Sequence, residues 1–234
     1  MSPETLAKVP LFQHVSPHRL TLMLAQARVE QYKKGALLFR QGDRAESVWI
    51  VLEGWVHLMR SPHPADGSHA VVLFTITPDE ALCGISAIDS GTYNLSAVAG
   101  TTCRLVRIPG AMFRDVLMHE AEFAYHTIRL CARRMQQMAE QYGAMAEPVS
   151  KRIIRAMLRL RQQFGTTLPV THRELAQMSW TTTESAIRLV RTLKQRGYVA
   201  GTRGRLTLAK PKALAQLLGG VNGHQGISRA TSSL

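Results

Sequence analysis

Thr171-His-Arg-Glu-Leu-Ala-Gln-Met178-Ser-Trp-Thr-Thr182-Thr-Glu-Ser-Ala-Ile-Arg188-Leu-Val-Arg-Thr-Leu-Lys-Gln-Arg-Gly197 reads as two short helices joined by a tight turn. Thr171 followed three residues on by Glu174 is a capping box, in which hydroxyl and carboxylate each accept from the other's backbone N–H. Ser179-Trp180 supplies the turn, and Thr181 or Thr182 caps a second helix that reaches about Arg196 and stops at Gly197. Ala176 is small where the helices must meet, and Ile187, Val190 and Leu193 are expected to bury the second helix against its neighbours. This is the helix-turn-helix pattern. Its outer face would carry Thr183, Glu184, Arg188, Arg191 and Lys194. Early residues of such a helix enter a DNA major groove. Arg188 can donate to guanine O6 and N7, and Glu184 can accept from cytosine N4. Thr171, His172, Thr182 and Ser185 at the helix starts, with Arg191, Lys194 and Arg196, suit phosphates.

Immediately downstream, Tyr198-Val-Ala-Gly-Thr-Arg-Gly-Arg-Leu-Thr-Leu208 reads as a hairpin with Arg203 and Arg205 near its turn, a wing beside the two helices. Charge singles out the same region. Residues 148–234 hold 15 Lys/Arg against 2 Asp/Glu, whereas residues 1–147 are balanced at 14 and 14, so the whole +13 excess sits in the last third. A basic module meets a polyanion. Charge by itself leaves RNA or an anionic membrane surface open; the helix pair and wing favour double-stranded DNA.

Upstream, Pro148 suits the first turn of a helix running to about Phe164, with Ile153, Ile154, Met157, Leu158 and Leu160 as its core face. Residues 111–146 read as one long helix. Leu117, Ala121, Ala124, Ile128, Cys131, Met135, Met138, Tyr142 and Met145 alternate at spacings of 4 and 3. So narrow a seam predicts helix pairing in a two-fold dimer. A hinge is expected at 143–148. Before the helix, short runs of Val, Ile, Leu and Phe (37–39, 48–52, 55–59, 70–76, 95–98, 104–108) alternate with Gly, Pro, Asp and Ser, as in a sandwich or barrel. Gly35, Gly42, Gly54, Gly67, Gly91 and Gly100 punctuate them at turns expected to need positive φ. Residues 16–28 predict a helix capped by Ser16, and 219–234, rich in Gly and Ser, a disordered tail.

No apolar run approaches the roughly 20 residues of a membrane span. Cys83, Cys103 and Cys131 form no CxxC pair, which fits a reducing, cytoplasmic setting. A metal-dependent jelly-roll enzyme would need clustered His and Glu on adjacent strands, and His57, His63 and His69 show no such grouping, so neither a catalytic nor a metal site is expected. An architectural DNA-binding protein is a third class, separable by the breadth of its footprint.

From about Val9 to Leu217 the chain resembles the Crp/Fnr family of bacterial regulators. The resemblance is carried by Lys34-Gly35, Phe39-Arg-Gln-Gly42-Asp, Ile50-Val-Leu-Glu-Gly54 and Thr183-Glu-Ser-Ala-Ile-Arg188. It implies an α+β chain: an N-terminal β jelly roll (1–110), a dimerisation helix and hinge (111–146), a C-terminal winged helix-turn-helix (147–217) and a tail (218–234). It also implies a homodimeric transcription regulator, an activator working with RNA polymerase, whose Glu184 and Arg188 read bases. Ile187 departs from the small residue usual at its position. Gly84-Ile85 and Leu95-Ser96 stand where cyclic-AMP-binding members carry Gly-Glu and Arg-Ser, and Met138-Ala139 replaces a polar pair. Cyclic AMP bound in the usual way is therefore disfavoured. Leu82-Cys-Gly-Ile-Ser-Ala-Ile88 is similar to the Fnr-type branch, yet no Cys precedes Cys83, which disfavours an iron–sulfur cluster. The effector pocket implied is Leu82, Gly84, Ile85, Leu95, Ser96, Met135 and Met138. Its ligand stays unknown, with haem, an apolar molecule or no ligand as the alternatives. His57, His63, His69, His119 and His126 are the haem-ligand candidates, and Cys131 on the seam is either a redox switch or a small buried hydrophobe.

Overall fold

A computed structural model describes residues 6–60, 70–82, 84–202 and 204–219, with the backbone alone at 84, 85 and 219. Gly67, Cys83, Arg203, His63, His69 and the tail beyond 219 lie outside the described residues. In chain order the first unit comprises a 3-10 turn at Pro10–Phe12, α1 (Pro17–Gln26), β1 (Arg28–Tyr32), β2 (Leu37–Phe39), β3 (Ser47–Glu53), β4 (Val56–Arg60), β5 (Val71–Ile76), β6 (Ala81–Leu82), α2 (Gly84–Ile88), β7 (Ser96–Ala99) and β8 (Cys103–Pro109). The strands form two antiparallel sheets, ordered β1-β8-β3-β6 and β2-β7-β4-β5. β1, β6 and α2 were not among the expected elements. The alternation Arg28-Val-Glu-Gln-Tyr32 and the two-residue β6 leave too weak an apolar signal.

β3 explains the packing. Val48, Trp49, Ile50 and Val51 are all buried, and successive strand residues point to opposite faces, so β3 is covered on both. Val48 and Ile50 join Phe12, Met23, Phe113, Val116 and Phe123 under the helices. Trp49 and Val51 meet Phe39, Val56, Leu58, Leu82 and Leu105 between the sheets. Of the glycines expected at positive φ, Gly35, Gly42 and Gly54 have it, whereas Gly91 and Gly100 do not. At Gly100 the requirement is space: a Cβ there would collide with the Trp55 indole.

The long helix is broken. α3 (Gly110–His119) and α4 (Ala121–Gly143) are separated by Glu120, whose backbone is extended at φ −120°, ψ 97°. The Glu120 carboxylate accepts from Ser16 Oγ at 2.7 Å and pairs with Arg19 Nε at 3.2 Å. That corrects two expectations. Ser16 does not cap α1 but crosses to Glu120, and Leu117 leaves the seam to pack against the roll's core. Heptad spacing in the sequence runs through Leu117 and Ala121 unbroken and so cannot register a one-residue interruption of the helix.

After a 3-10 turn at Ala144–Ala146 comes the second unit: α5 (Val149–Phe164), β9 (Thr167–Leu168), α6 (His172–Met178), α7 (Thr183–Gln195), β10 (Val199–Thr202), β11 (Arg205–Leu208) and α8 (Pro211–Gly219). Pro148 lies just before α5, in extended backbone, rather than inside its first turn. Ile153, Met157, Leu160, Leu175, Ala176, Val190, Leu193, Leu206 and Leu214 build one core. α8 carries order to Gly219, past the expected boundary at 217, because Leu217 and Leu218 still pack on that core. The two units touch. Val72 of β5 enters the second core, and the Trp55 and Phe164 rings meet edge-on at 4.9 Å. Gln163 Nε2 donates to Thr75 O at 3.2 Å across the contact, while Gln141 Nε2 of α4 donates to Leu73 O at 3.0 Å beside it.

Candidate nucleic-acid interface

α6 and α7 begin as their sequences require. Thr171 Oγ1 accepts from Glu174 N at 3.2 Å, and Glu174 Oε2 accepts from Thr171 N at 2.7 Å, closing the capping box. Thr182, rather than Thr181, caps α7, accepting from Ser185 N at 3.3 Å. Ala186, Val190 and Leu193 are the buried face of α7; Ile187, expected there, is 46% exposed. At that position the helix has already turned away from the core. Glu184, Arg188, Arg191 and Lys194 are exposed, with Thr183 and Ser185 at intermediate burial. Lys194 is not simply a free cation for phosphate: its Nζ donates to Gly201 O at 2.8 Å and ties α7 to the wing.

The wing is the β10–β11 hairpin, with Val199 opposite Leu208 and Thr202 opposite Arg205. Gly201 sits at φ +117°, and a Cβ there would run into the Arg205 carbonyl oxygen. Arg205 is exposed. Between the wing and the helix starts lies a concave surface of about 310 Å³ bordered by Thr171, His172, Thr183, Ile187, Lys194 and Thr202. Expected contact residues from the starts of α6 and α7, with Lys194 further along α7, thus meet on one face with Thr202 of the wing. Arg173 and Thr202 share it and were missed; both are polar residues in a basic region, with nothing in their spacing to set them apart. His172 has its pKa lowered by burial, with Lys194 adding to the effect.

A second cavity, of about 340 Å³, lies between the roll and α4. Leu82, Leu95, Met135 and Met138 line it as expected, joined by Phe74, Leu130 and Cys131. Ser96 is elsewhere, its Oγ accepting from Gln41 N at 3.0 Å. The cavity's deep cation, Arg134, lies 3.6 Å from Glu80 and stacks over the Phe74 ring at 4.9 Å. Burial raises the Cys131 thiol pKa, which opposes thiolate chemistry there. Of the histidines considered as haem ligands, His57, His119 and His126 lie outside this lining. Along α4, Ile128, Met135, Met138 and Tyr142 are exposed at 66%, 70%, 47% and 76%, and Met145 just beyond is 47% exposed. Ala121 is also exposed, with Ala124 and Cys131 at intermediate burial. Among the described residues no helix is long and apolar enough to cross a membrane.

A family model for the cyclic nucleotide-binding domain matches residues 29–120, and one for the Crp-like helix-turn-helix domain matches residues 151–217. The cyclic AMP receptor protein of Thermus thermophilus is 27% identical over 218 residues, covering 91% of this chain and 98% of its own. The CRP-like cAMP-activated global transcriptional regulator of Mycobacterium tuberculosis is 24% identical over 205 residues, covering 84% and 90%. The solved structure of a Crp/Fnr-family regulator from Eubacterium rectale superposes with a TM-score of 0.73 at 19% identity, covering 90% and 98%. The chain belongs to the Crp/Fnr family. Its α6–α7 pair is the DNA-binding element of a Crp/Fnr-type transcription regulator.

In this Crp/Fnr chain the DNA-binding unit is seated on the roll through an electrostatic contact that the sequence did not disclose. Glu174 Oε1, on the far side of the carboxylate from the capping box, lies 3.5 Å from Lys34 Nζ and 4.0 Å from His57 Nε2. His57 Nδ1 is 3.2 Å from Thr75 Oγ1. A proton on Nε2 suits both neighbours, with the Thr75 hydroxyl donating to Nδ1 and the N–H facing the carboxylate. Burial lowers the His57 pKa to about 4, outweighing Glu174, which raises it, and Lys34 lowers it further. At neutral pH the imidazole is uncharged, and the ion pair is Lys34 with Glu174.

Proposed function

We propose that the chain acts as a homodimer that reads a two-fold symmetric DNA site and is controlled by a ligand held between the roll and α4. The exposed basic face of α7, capped by Thr182 and backed by the wing, carries this reading. In it Glu184 and Arg188 meet base edges, while Arg191, Lys194, Arg205 and the helix N-termini at Thr171, His172 and Thr182 hold phosphates and set register. The unpartnered apolar strip of α4 supports dimerisation, because exposed side chains of that size in a row mark an interface. RNA polymerase as partner and the cytoplasm as location belong to the same reading.

The cavity between roll and α4 does not fit a cyclic nucleotide. Among the described residues no carboxylate lines it to accept from a ribose hydroxyl, Leu95 and Met138 are among its walls, Arg134 is engaged by Glu80 and Phe74, and Arg60, the other cation of the lining, is exposed to solvent. Burying a phosphate against leucine and methionine leaves its charge poorly compensated. An apolar small molecule is the ligand class these walls favour.

The decisive experiment selects binding sites from random duplex DNA and compares the intact chain with Arg188→Ala. A palindromic consensus is expected, and the variant should lose roughly 1–3 kcal/mol of specific binding with relaxed preference at one base pair per half-site. Unchanged discrimination between selected and random DNA would overturn the assignment.

A further inference from the structure

Glu122 and His126 stand four residues apart on α4, so both project from one side of the helix. His14, from the segment after the Pro10–Phe12 turn, comes alongside them. Glu122 Oε2 lies 4.0 Å from His14 Nδ1 and 3.9 Å from His126 Nε2, and the donor atoms of all three lie within 4.8 Å of one another. The two imidazoles stack with centroids 5.1 Å apart and planes 8° from parallel.

The backbone that carries these groups is fixed from below. Phe12 and Phe123, both fully buried, have ring centroids 5.3 Å apart, and the Ser16–Glu120 hydrogen bond ties down the other side of His14. Three side chains from two elements are therefore delivered to one spot by a rigid base, with His14 and Glu122 open to solvent. Nothing in the DNA-binding or ligand-pocket geometry uses them.

We propose that His14, Glu122 and His126 form a site for a divalent transition-metal ion such as Zn²⁺, Co²⁺ or Ni²⁺. Two imidazoles and one carboxylate are a donor set these ions favour, and three protein ligands leave a position for water. Bonds of roughly 2.0–2.2 Å place tetrahedral ligand atoms about 3.4 Å apart, so the two carboxylate–imidazole separations close by about half an ångström. Each ring must hold the ion in its own plane, so the exposed His14 imidazole turns out of the stack on binding. At about 100° per residue, Glu122 and His126 lie on the opposite side of α4 from Ile128, Met135 and Tyr142, so the site stays open when the apolar strip is covered. A bound ion would clamp the N-terminal segment to α4 two residues beyond the Glu120 break.

The test uses the full-length chain stripped with a chelator and titrated with CoCl₂ in the visible range and with ZnCl₂ by calorimetry. One ion per chain at micromolar affinity is expected, with d–d bands of imidazole–carboxylate coordination. His14→Ala and His126→Ala should each weaken binding at least tenfold, whereas His18→Ala should not. His14 and His18 are exposed and His126 is half-buried, so the metal-free variants should stay close to the wild-type melting temperature, and only the wild type and His18→Ala should gain stability with Zn²⁺. Substoichiometric binding at these concentrations, or affinity unchanged in His14→Ala and His126→Ala, would overturn the site.

Discussion

His57 should make the stability of this protein fall as the medium is acidified, because the native chain holds its imidazole uncharged. Its pKa is about 4 in the native chain and 6.5 when exposed. Because the native value is depressed, the unfolded chain takes up a proton before the folded one does. Stability is therefore full above the unfolded value and lost as pH falls from about 6.5 toward about 4. Between pH 7 and pH 5 the exposed imidazole goes from about a quarter to nearly fully protonated, while buried His57 gains about a tenth of a proton. At about 1.36 kcal/mol per pH unit of full difference, the loss is about 2 kcal/mol. Carboxylates titrate over the same range, so the measurement is differential. Melting curves of the wild type and His57→Gln are recorded from pH 7 to pH 5, the amide keeping a polar group but no titrating one. The wild type should lose about 4–7 °C more than the variant over that interval. His57 lies under α6, so acid should also loosen the seating of the DNA-binding unit and speed proteolysis at 143–148 in the wild type alone. Parallel pH profiles for the two proteins would refute the reasoning, since they would mean that His57 is not buried against Glu174 and Lys34.

Glu174→Ala removes the carboxylate half of the α6 capping box and the contact with Lys34. It should destabilise the DNA-binding unit by about 1 kcal/mol, within a range of about 0.5–2, in denaturant titrations. Glu174→Gln keeps a capping side chain and should lose less than the alanine variant. Gly201→Ala forces a Cβ into the Arg205 carbonyl at φ +117° and should cost about 1–3 kcal/mol. It should also lower the salt dependence of DNA binding by about one phosphate contact, as read from affinities at several ionic strengths. Met135→Asp together with Tyr142→Asp places two charges on the apolar strip of α4 and should give a monomer by light scattering, with the melting temperature little changed. A dimer that survives both substitutions would place the interface elsewhere.

Sequence alone fixed what is local. The capping box at Thr171 and Glu174, the turn at Ser179-Trp180 and the Gly197 stop are written in adjacent residues, because a helix end must satisfy its own backbone groups within one turn. The charge partition and the apolar run of β3 are equally direct, since they count residue types along the chain. The exposed face of α7 followed from helical periodicity, apart from Ile187, where a bulky apolar residue looks like core whichever way it points.

What depended on distant residues meeting had to wait for the tertiary structure. At the Glu120 break, Ser16 and Arg19, about a hundred residues earlier, hold the carboxylate. Glu174 looked complete as a cap, yet its second oxygen faces Lys34 and His57 from the other unit. The ring pair of His14 and His126 has no sequence signature, because what joins them is the buried meeting of Phe12 and Phe123. Side-chain chemistry and backbone capping are properties of neighbours in sequence. Burial, and with it the pKa of His57 and the grouping of ligands, is a property of neighbours in space.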